Sequence, residues 1–212
     1  PDTPFQLCLR QIRNIFYRYP NKIFPDNKII ISAEEQPDKV YYLKTGYVKM
    51  YSLSEEGKEL TLNIFKPDTY FPGAWAVANI PNSFFFEAMT PTRVSRMPKN
   101  DFIDFIKHEP EMLFDLTTRI ISGLDATLKR MDYLMSSDAH SRVASSILMT
   151  AKRFGKEIER GKIEIQLPLT HQDIAGLAGL TRESTSIEMG KLKKDGVISG
   201  KNSEIIITDM KK

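Results

Sequence analysis

Residues 169–198, with the sequence LTHQDIAGLAGLTRESTSIEMGKLKKDGVI, constrain the fold of this chain more than any other stretch. Thr170 and Asp173 have the spacing of a capping box, which begins a helix. Gly179 ends that helix, since glycine adopts a left-handed backbone without steric cost. Thr181 can cap a second helix that follows at once. The stretch therefore predicts two short helices joined by a tight turn.

The second helix has one apolar and one polar side. Thr185, Met189 and Leu192 follow i, i+4, i+7 spacing and would face the core. The opposite side carries Arg182, Glu183, Ser186 and Ile187. This pattern is typical of a helix-turn-helix, whose second helix enters the major groove of DNA. On the pattern alone, an ordinary helical hairpin with a solvated face is the alternative, and Ile187 could then be a core residue.

The rest of the chain divides into regions with different periodicity. Short apolar runs separated by turn signals predict strands, typical of an antiparallel β-barrel or jelly roll. These strands are expected at residues 28–31, 40–43, 47–53, 60–65, 84–89 and 93–97. A helix over 139–154, a strand over 163–167 and a wing strand over 203–208 complete a winged helix-turn-helix. The predicted domains are a barrel domain (1–109), a long helix (110–137) and a winged helix-turn-helix domain (138–212).

Residues 110–136 predict one long helix with a narrow apolar seam. The seam comprises Leu113, Leu116, Ile120, Leu124, Leu128, Met131 and Leu134. Its mean spacing is about 3.5 residues, the period of a coiled coil. A helix of about 27 residues spans roughly 40 Å, so such a seam favours pairing in a parallel homodimer. Packing against the chain's own barrel is the alternative.

Composition excludes several classes of protein. Apolar residues make up 41% of the chain and charged residues 27%, which is typical of a soluble globular protein. We expect no membrane span and a cytoplasmic location, because long apolar runs and a signal-peptide pattern are absent. Cys8 is the single cysteine, so one chain cannot supply a four-cysteine cluster site. The histidines show no metal-ligand spacing, and residues 22–100 contain none, so neither a metal site nor a cupin-like enzyme is expected.

Three segments carry a resemblance to a known family. They are VYYLKTGYVKMYSLSEEGKELTLNIF (40–65), DAHSRVASSIL (138–148) and LTHQDIAGLAGLTRES (169–184). In this order, with a long helix between the first two, they resemble the CRP/FNR family of bacterial transcription regulators. The resemblance implies an α+β fold: an N-terminal antiparallel β-barrel of the cyclic-nucleotide-binding type, a long dimerisation helix and a C-terminal winged helix-turn-helix. It also implies a homodimer on a pseudo-palindrome, with half-sites about 34 Å apart, and contact with RNA polymerase.

The resemblance also suggests which residues read DNA. Members often show Arg-Glu, two residues, a small residue and Arg, whereas Ile187 stands here at the second arginine position. Arg182 can donate to guanine, Glu183 can accept from cytosine, and Ile187 can pack on a thymine methyl. The full predicted DNA-binding set is Thr170, His171, Thr181, Arg182, Glu183, Ser184, Ser186, Ile187, Lys191 and Lys201. Among these, Thr170, His171, Lys191 and Lys201 are candidate phosphate contacts.

Residues 70–88 resemble the family's phosphate-binding cassette, but they lack its charged groups. Gly73 is followed by Ala74 rather than glutamate, and residues 83–86 hold no cation. A buried phosphate without a cation is costly, so cyclic AMP is not expected. The candidate effector pocket is Tyr70, Phe71, Gly73, Trp75, Phe84, Phe85 and Phe86, with Leu124, Thr127 and Leu128. It suits haem or an apolar small molecule; alternatively, the rings are core and no ligand binds.

A ligand-binding regulatory module that acts through protein partners is the second functional hypothesis. It shares the barrel but has no use for the winged domain. A more basic C-terminal third, in a chain of net charge +3, favours the DNA-binding hypothesis.

Overall fold

The structure, a computed structural model, describes residues 4–136, 138–200 and 203–208, and side chains from residue 9 onward except that of Ser136. The helices are α1 (Pro4–Phe16), α2 (Gly73–Ala78), α3 (Lys99–His108), α4 (Pro110–Ser136), α5 (Ala139–Phe154), α6 (His171–Ala178) and α7 (Arg182–Lys194). The strands are β1 (Asn21–Phe24), β2 (Ile29–Ile31), β3 (Lys39–Thr45), β4 (Val48–Leu53), β5 (Glu59–Phe65), β6 (Thr69–Phe71), β7 (Phe85–Ala88), β8 (Thr92–Pro98), β9 (Gly155–Glu159), β10 (Lys162–Ile165), β11 (Ile198–Ser199) and β12 (Ile206–Ile207).

The chain forms two compact units. One comprises Pro1–Ser52 and Leu62–Thr127, and the other comprises Leu53–Thr61 and Leu128–Lys212. The division passes through α4, and it places the tip of the β4–β5 hairpin with the C-terminal unit. Among the described helices, none combines the length and apolarity needed to cross a lipid bilayer.

The N-terminal unit is built on two four-stranded sheets, in the orders β1-β8-β3-β6 and β2-β7-β4-β5. Antiparallel pairing sets their registers, with Tyr41 opposite Phe71 in one sheet and Val48 opposite Ala88 in the other. Residues from both sheets, including Val94 and Phe86, form a shared core. The predicted barrel is therefore a jelly-roll sandwich whose sheets face each other rather than closing into one.

A second core lies where α1, α3 and the start of α4 pack with residues of the first sheet. Phe16 of α1 stacks on Tyr42 with their ring centroids 5.3 Å apart, and Phe102 of α3 joins the same cluster. Met112 and Leu116 of α4 are buried there. Helix α1 was not among the predicted elements.

The C-terminal unit holds α5, α6, α7 and a sheet of order β11-β12-β10-β9. Asp138 caps α5 by accepting a hydrogen bond from the Ser141 amide at 2.8 Å. Helices α4 and α5 have the bounds that periodicity predicts. Strand β12 is shorter than the predicted wing strand, and β9 was not predicted.

Candidate nucleic-acid interface

A capping box fixes the start of α6. The Thr170 hydroxyl accepts a hydrogen bond from the Asp173 amide at 3.1 Å, and the Asp173 carboxylate accepts one from the Thr170 amide at 2.9 Å. Gly179 follows the helix with φ 61°, the left-handed conformation that glycine favours. Both signals confirm the sequence-based prediction, and they set the turn between the two helices.

Helix α7 presents the predicted base-reading side chains to solvent. The Thr181 hydroxyl caps it by accepting from the Ser184 amide at 3.2 Å. Arg182 and Glu183 are exposed, and Ile187 is 61% exposed. The alternative that Ile187 is a core residue is therefore wrong. An exposed isoleucine beside a cation and a carboxylate can contact a base methyl without competing for hydrogen bonds.

The buried face of α7 contains a carboxylate besides the expected Thr185, Met189 and Leu192. Glu188 lies 2.8 Å from Lys191 Nζ and 3.0 Å from His140 Nδ1 of α5. These hydrogen bonds, that from Lys191 first, lower the pKa of Glu188 because they favour its ionised form. Lys191, a predicted phosphate contact, is thus held by a neighbour on its own helix.

His171 joins the two helices of the pair. It is the first residue of α6, and its Nδ1 lies 2.8 Å from the Ser186 hydroxyl of α7. The structure thus brings two residues of the predicted DNA-binding set into contact. Thr170 and Thr181 are exposed at the helix starts, and Lys201 lies outside the described residues.

The segment that resembles a phosphate cassette is filled by its own side chains. Asn82 is fully buried; its Nδ2 donates to the Ser32 carbonyl at 3.1 Å and to the Phe84 carbonyl, and its Oδ1 accepts from the Phe84 amide. The segment Gly73–Ala88 contains no lysine or arginine. Sequence analysis did not single out Asn82, because only long-range contacts reveal its role.

Four of the candidate pocket aromatics lie together. Phe71 and Phe86 stack with centroids 5.2 Å apart, while Trp75 lies edge-on to Phe86 at 6.2 Å and to Phe84 at 5.8 Å. Phe65 also contacts Phe71. Phe71 and Phe86 are buried in the core shared by the two sheets, and the partly buried Trp75, Phe84 and Phe65 pack against that core.

The other candidate pocket residues lie elsewhere. Tyr70 belongs to the second core and donates to Asp115 of α4 at 3.2 Å. Phe85 stacks on Tyr51 at 5.3 Å. The remaining side chains, Leu124, Thr127 and Leu128, are exposed on α4, and Gly73 packs closely on the Tyr70 ring.

The described residues were also considered as ligands of a metal ion. No group of three His, Cys, Asp or Glu side chains among the described residues could hold a metal ion. The Cys8 side chain lies outside those residues.

Comparison with known proteins agrees with this architecture. Residues 141–212 match the family model of the Crp-like helix-turn-helix domain, and residues 21–109 match that of the cyclic nucleotide-binding domain. Transcriptional regulator SdrP of Thermus thermophilus is 28% identical over 174 residues, which cover 82% of this chain and 81% of that protein. The global nitrogen regulator of Synechocystis is 26% identical over 212 residues, covering 97% and 92%.

A solved structure extends the similarity to three dimensions. The crystal structure of a CRP/FNR-family transcriptional regulator from Thermus thermophilus superposes with a TM-score of 0.72 at 27% identity, covering 91% of this chain and 95% of that one. Sandwich, long helix and winged helix-turn-helix thus occur in the same order as in these regulators. The chain belongs to the CRP/FNR family of DNA-binding transcription regulators.

Proposed function

We propose that this regulator acts as a homodimer that places α7 of each subunit in successive major grooves of a pseudo-palindromic site. The observation that carries this proposal is the exposed face of α7, on which Arg182, Glu183 and Ile187 stand free of the core. The proposed domains are residues 1–109, 110–137 and 138–212. The family implies that the bound dimer contacts or blocks RNA polymerase.

Each reading side chain has a distinct proposed role. Arg182 donates two hydrogen bonds to a guanine, Glu183 accepts from a cytosine amino group, and Ile187 packs on a thymine methyl. Thr170 and His171, at the start of α6, approach phosphates and so position the protein without specifying sequence. Thr181, Ser184, Ser186, Lys191 and Lys201 complete the proposed interface.

A row of exposed apolar side chains on α4 supports the dimer. Leu113, Phe114, Ile120, Ile121, Leu124, Leu128, Met131 and Met135 are each about half exposed or more. Burial of such a stripe against a second copy removes apolar surface from water, and the coiled-coil spacing matches a parallel partner helix. Leu116, by contrast, is buried in the chain's own core, and Leu134 is half-buried.

We further propose that the N-terminal domain does not respond to cyclic AMP. It either binds a different effector or works without one. Asn82 uses its amide for internal hydrogen bonds, and the cassette offers no cation to a phosphate. Stacked rings fill the interior, which supports a domain without a ligand. An apolar small molecule or haem remains the proposed class if an effector exists, since it could replace these rings by contacts of the same kind.

Selection from a random pool of duplexes tests the DNA-binding proposal. We expect enrichment of two inverted half-sites, with binding that weakens as salt rises. Arg182→Ala should lose about 1–3 kcal/mol of discrimination at one base pair of each half-site. The matched control is Arg93→Ala, which removes an exposed arginine of the N-terminal unit and should bind like the wild type.

Two outcomes would contradict the proposal. If no duplex is enriched, the chain is better explained as a regulatory module that acts through protein partners. If Arg182→Ala keeps the wild-type preference at every base pair, α7 does not read DNA through this face.

A further inference from the structure

The C-terminal end of α6 is capped in an unusual way. A helix leaves its last carbonyls without intrahelical partners. The Ala175 carbonyl accepts from the Gly179 and Leu180 amides. The next carbonyls along the chain, those of Gly176, Leu177, Ala178 and Gly179, all accept from arginine side chains.

Arg142 of α5 supplies one half of this cap. Its Nε and Nη2 donate to the Ala178 carbonyl at 2.9 and 2.6 Å, and Nη2 also donates to the Gly179 carbonyl at 2.6 Å. A Cβ on Gly179 would lie 2.8 Å from Arg142 Nη2. The glycine of the turn therefore also makes room for this arginine.

Arg130 of α4 supplies the other half and reaches a third element. Its Nη2 donates to the Gly176 carbonyl at 3.3 Å and to the Leu177 carbonyl, while its Nη1 donates to the Thr61 carbonyl of β5. In the part of the chain that the structure describes, all its hydrogen-bond acceptors are main-chain carbonyls. Burial lowers the pKa of Arg130 to about 10, so the guanidinium keeps its charge at neutral pH.

Gly176 allows these elements to approach each other. A Cβ at this position would lie 2.7 Å from Thr61 Oγ1 and 3.1 Å from Glu59 Oε1. A side chain at position 176 would therefore displace Thr61 Oγ1 and Glu59 Oε1. The hairpin tip, the end of α4 and α6 therefore meet within one compact unit, at the point where Arg130 donates.

We propose that Arg130 is a positioning residue for DNA binding, which fixes the helix-turn-helix to the end of the long helix and to the hairpin tip. The inference rests on the proposed function, because the orientation of each helix pair matters only if a dimer must match two half-sites. A planar guanidinium suits this task, since its fork of N–H groups can reach carbonyls of two segments at once. The face of α7 that carries Arg182 and Ile187 stays exposed, so the Arg130 hydrogen bonds leave this face open to DNA.

The position of the Arg130 hydrogen bonds predicts which kind of DNA binding depends on them. A single half-site contacts one helix pair and does not sense how that pair is held. Binding to two half-sites depends on the effective concentration of the second pair, which falls when its position is loosely defined. Arg130 should therefore matter for full sites and for their spacing, and not for single half-sites.

The test compares Arg130→Met and Arg130→Lys with the wild-type full chain. Fluorescence anisotropy measures affinity for one half-site and for full sites whose spacing varies by up to about two base pairs. We expect Arg130→Met to keep its half-site affinity, to bind the full site about tenfold more weakly, and to lose much of its preference for one spacing. Arg130→Lys, which keeps the charge but not the fork, should fall between. Lys107→Met, which removes an exposed charge of α3, should match the wild type.

Several results would overturn the inference. One is an Arg130→Met protein with the wild-type affinity and spacing preference; another is an equal loss at half-sites and full sites, which would mean that Arg130 only stabilises the helix pair. If circular dichroism and ultracentrifugation show that Arg130→Met does not fold as a dimer, Arg130→Lys decides by the same measurements. Failure of the wild type to bind any duplex would refute the proposed function as well, and so differs from these results.

Discussion

Glu188 shows that a carboxylate can occupy a helix face expected to be apolar when it has hydrogen-bond partners there. It lies on the buried face of α7, where a carboxylate without partners would be costly. Lys191 contacts one of its carboxylate oxygens and His140 the other, so both oxygens have a hydrogen-bond partner. The residue thus joins α5 to α7 through polar contacts in an otherwise apolar interface.

The Glu188 contacts predict a dependence of stability on pH. The pKa of Glu188 lies below its ordinary value of 4.5, so the stabilisation is complete above that pH and is lost as pH falls through the lowered pKa. We expect Glu188→Gln to reduce the fall in the free energy of unfolding of α5–α7 between about pH 5 and pH 3. Hydrogen exchange of the amides of these helices measures it. Exposed Glu55→Gln is the control, and an unchanged slope in Glu188→Gln would contradict the prediction.

Thr170 shows that a predicted DNA contact can also have a structural role. Its hydroxyl accepts from the Asp173 amide and donates to the Asp173 carboxylate at 2.6 Å. We expect Thr170→Ala to lower the free energy of unfolding by about 1 kcal/mol, as loss of an N-cap does. The free energy of unfolding is measured in urea, with hydrogen exchange of the α6 amides as the probe. Thr118→Ala, an exposed change of α4 outside the apolar stripe, should be neutral, and equal effects of the two changes would argue against the cap.

At the scale of elements, the sequence predicts the features that depend on neighbouring residues, but it does not predict contacts between residues that are far apart in the chain. The bounds of α4 and α5 and the caps at Thr170 and Thr181 follow from neighbours within a few residues. The roles of Asn82 and Arg130 depend on partners about 50 to 70 residues away, as the separations between Asn82 and Ser32 and between Arg130 and Thr61 show. No spacing rule within the sequence identifies such contacts.

The residues of the candidate pocket do not all lie together, for a related reason. Strand alternation decides the side to which each side chain points, so adjacent Phe85 and Phe86 belong to different faces of β7. Phe86 enters the core with Phe71, whereas Phe85 stacks on Tyr51. A cluster of aromatic residues in sequence therefore need not be a cluster in space.

At the scale of the whole molecule, the exposed stripe on α4 is the proposed surface of assembly. Leu124 is 57% exposed at the middle of this stripe. We expect Leu124→Glu to convert the dimer to monomers at micromolar concentration, because pairing would bury two carboxylates in an apolar seam. Native mass spectrometry measures the mass of the assembly, which distinguishes a dimer from a monomer, and it also detects any retained small molecule.

A matched change on the same helix is the control for that experiment. Ser122→Glu introduces the same charge two residues away, which places it on the opposite side of α4. This variant should remain dimeric. A monomeric wild type, or a Leu124→Glu protein that is still dimeric, would contradict the proposal that the stripe pairs two subunits.

The isoleucine at position 187 has a consequence for how a cell keeps its regulatory circuits separate. The resemblance to the CRP/FNR family implies arginine at this position in many members, and a promoter that relies on such an arginine offers a guanine to it. Since Ile187 donates no hydrogen bond, the proposed complex gains nothing from that guanine and forfeits about 1–3 kcal/mol on such promoters. If Ile187 reads DNA as proposed, cross-talk with arginine-bearing relatives is suppressed through one apolar side chain rather than through a different fold.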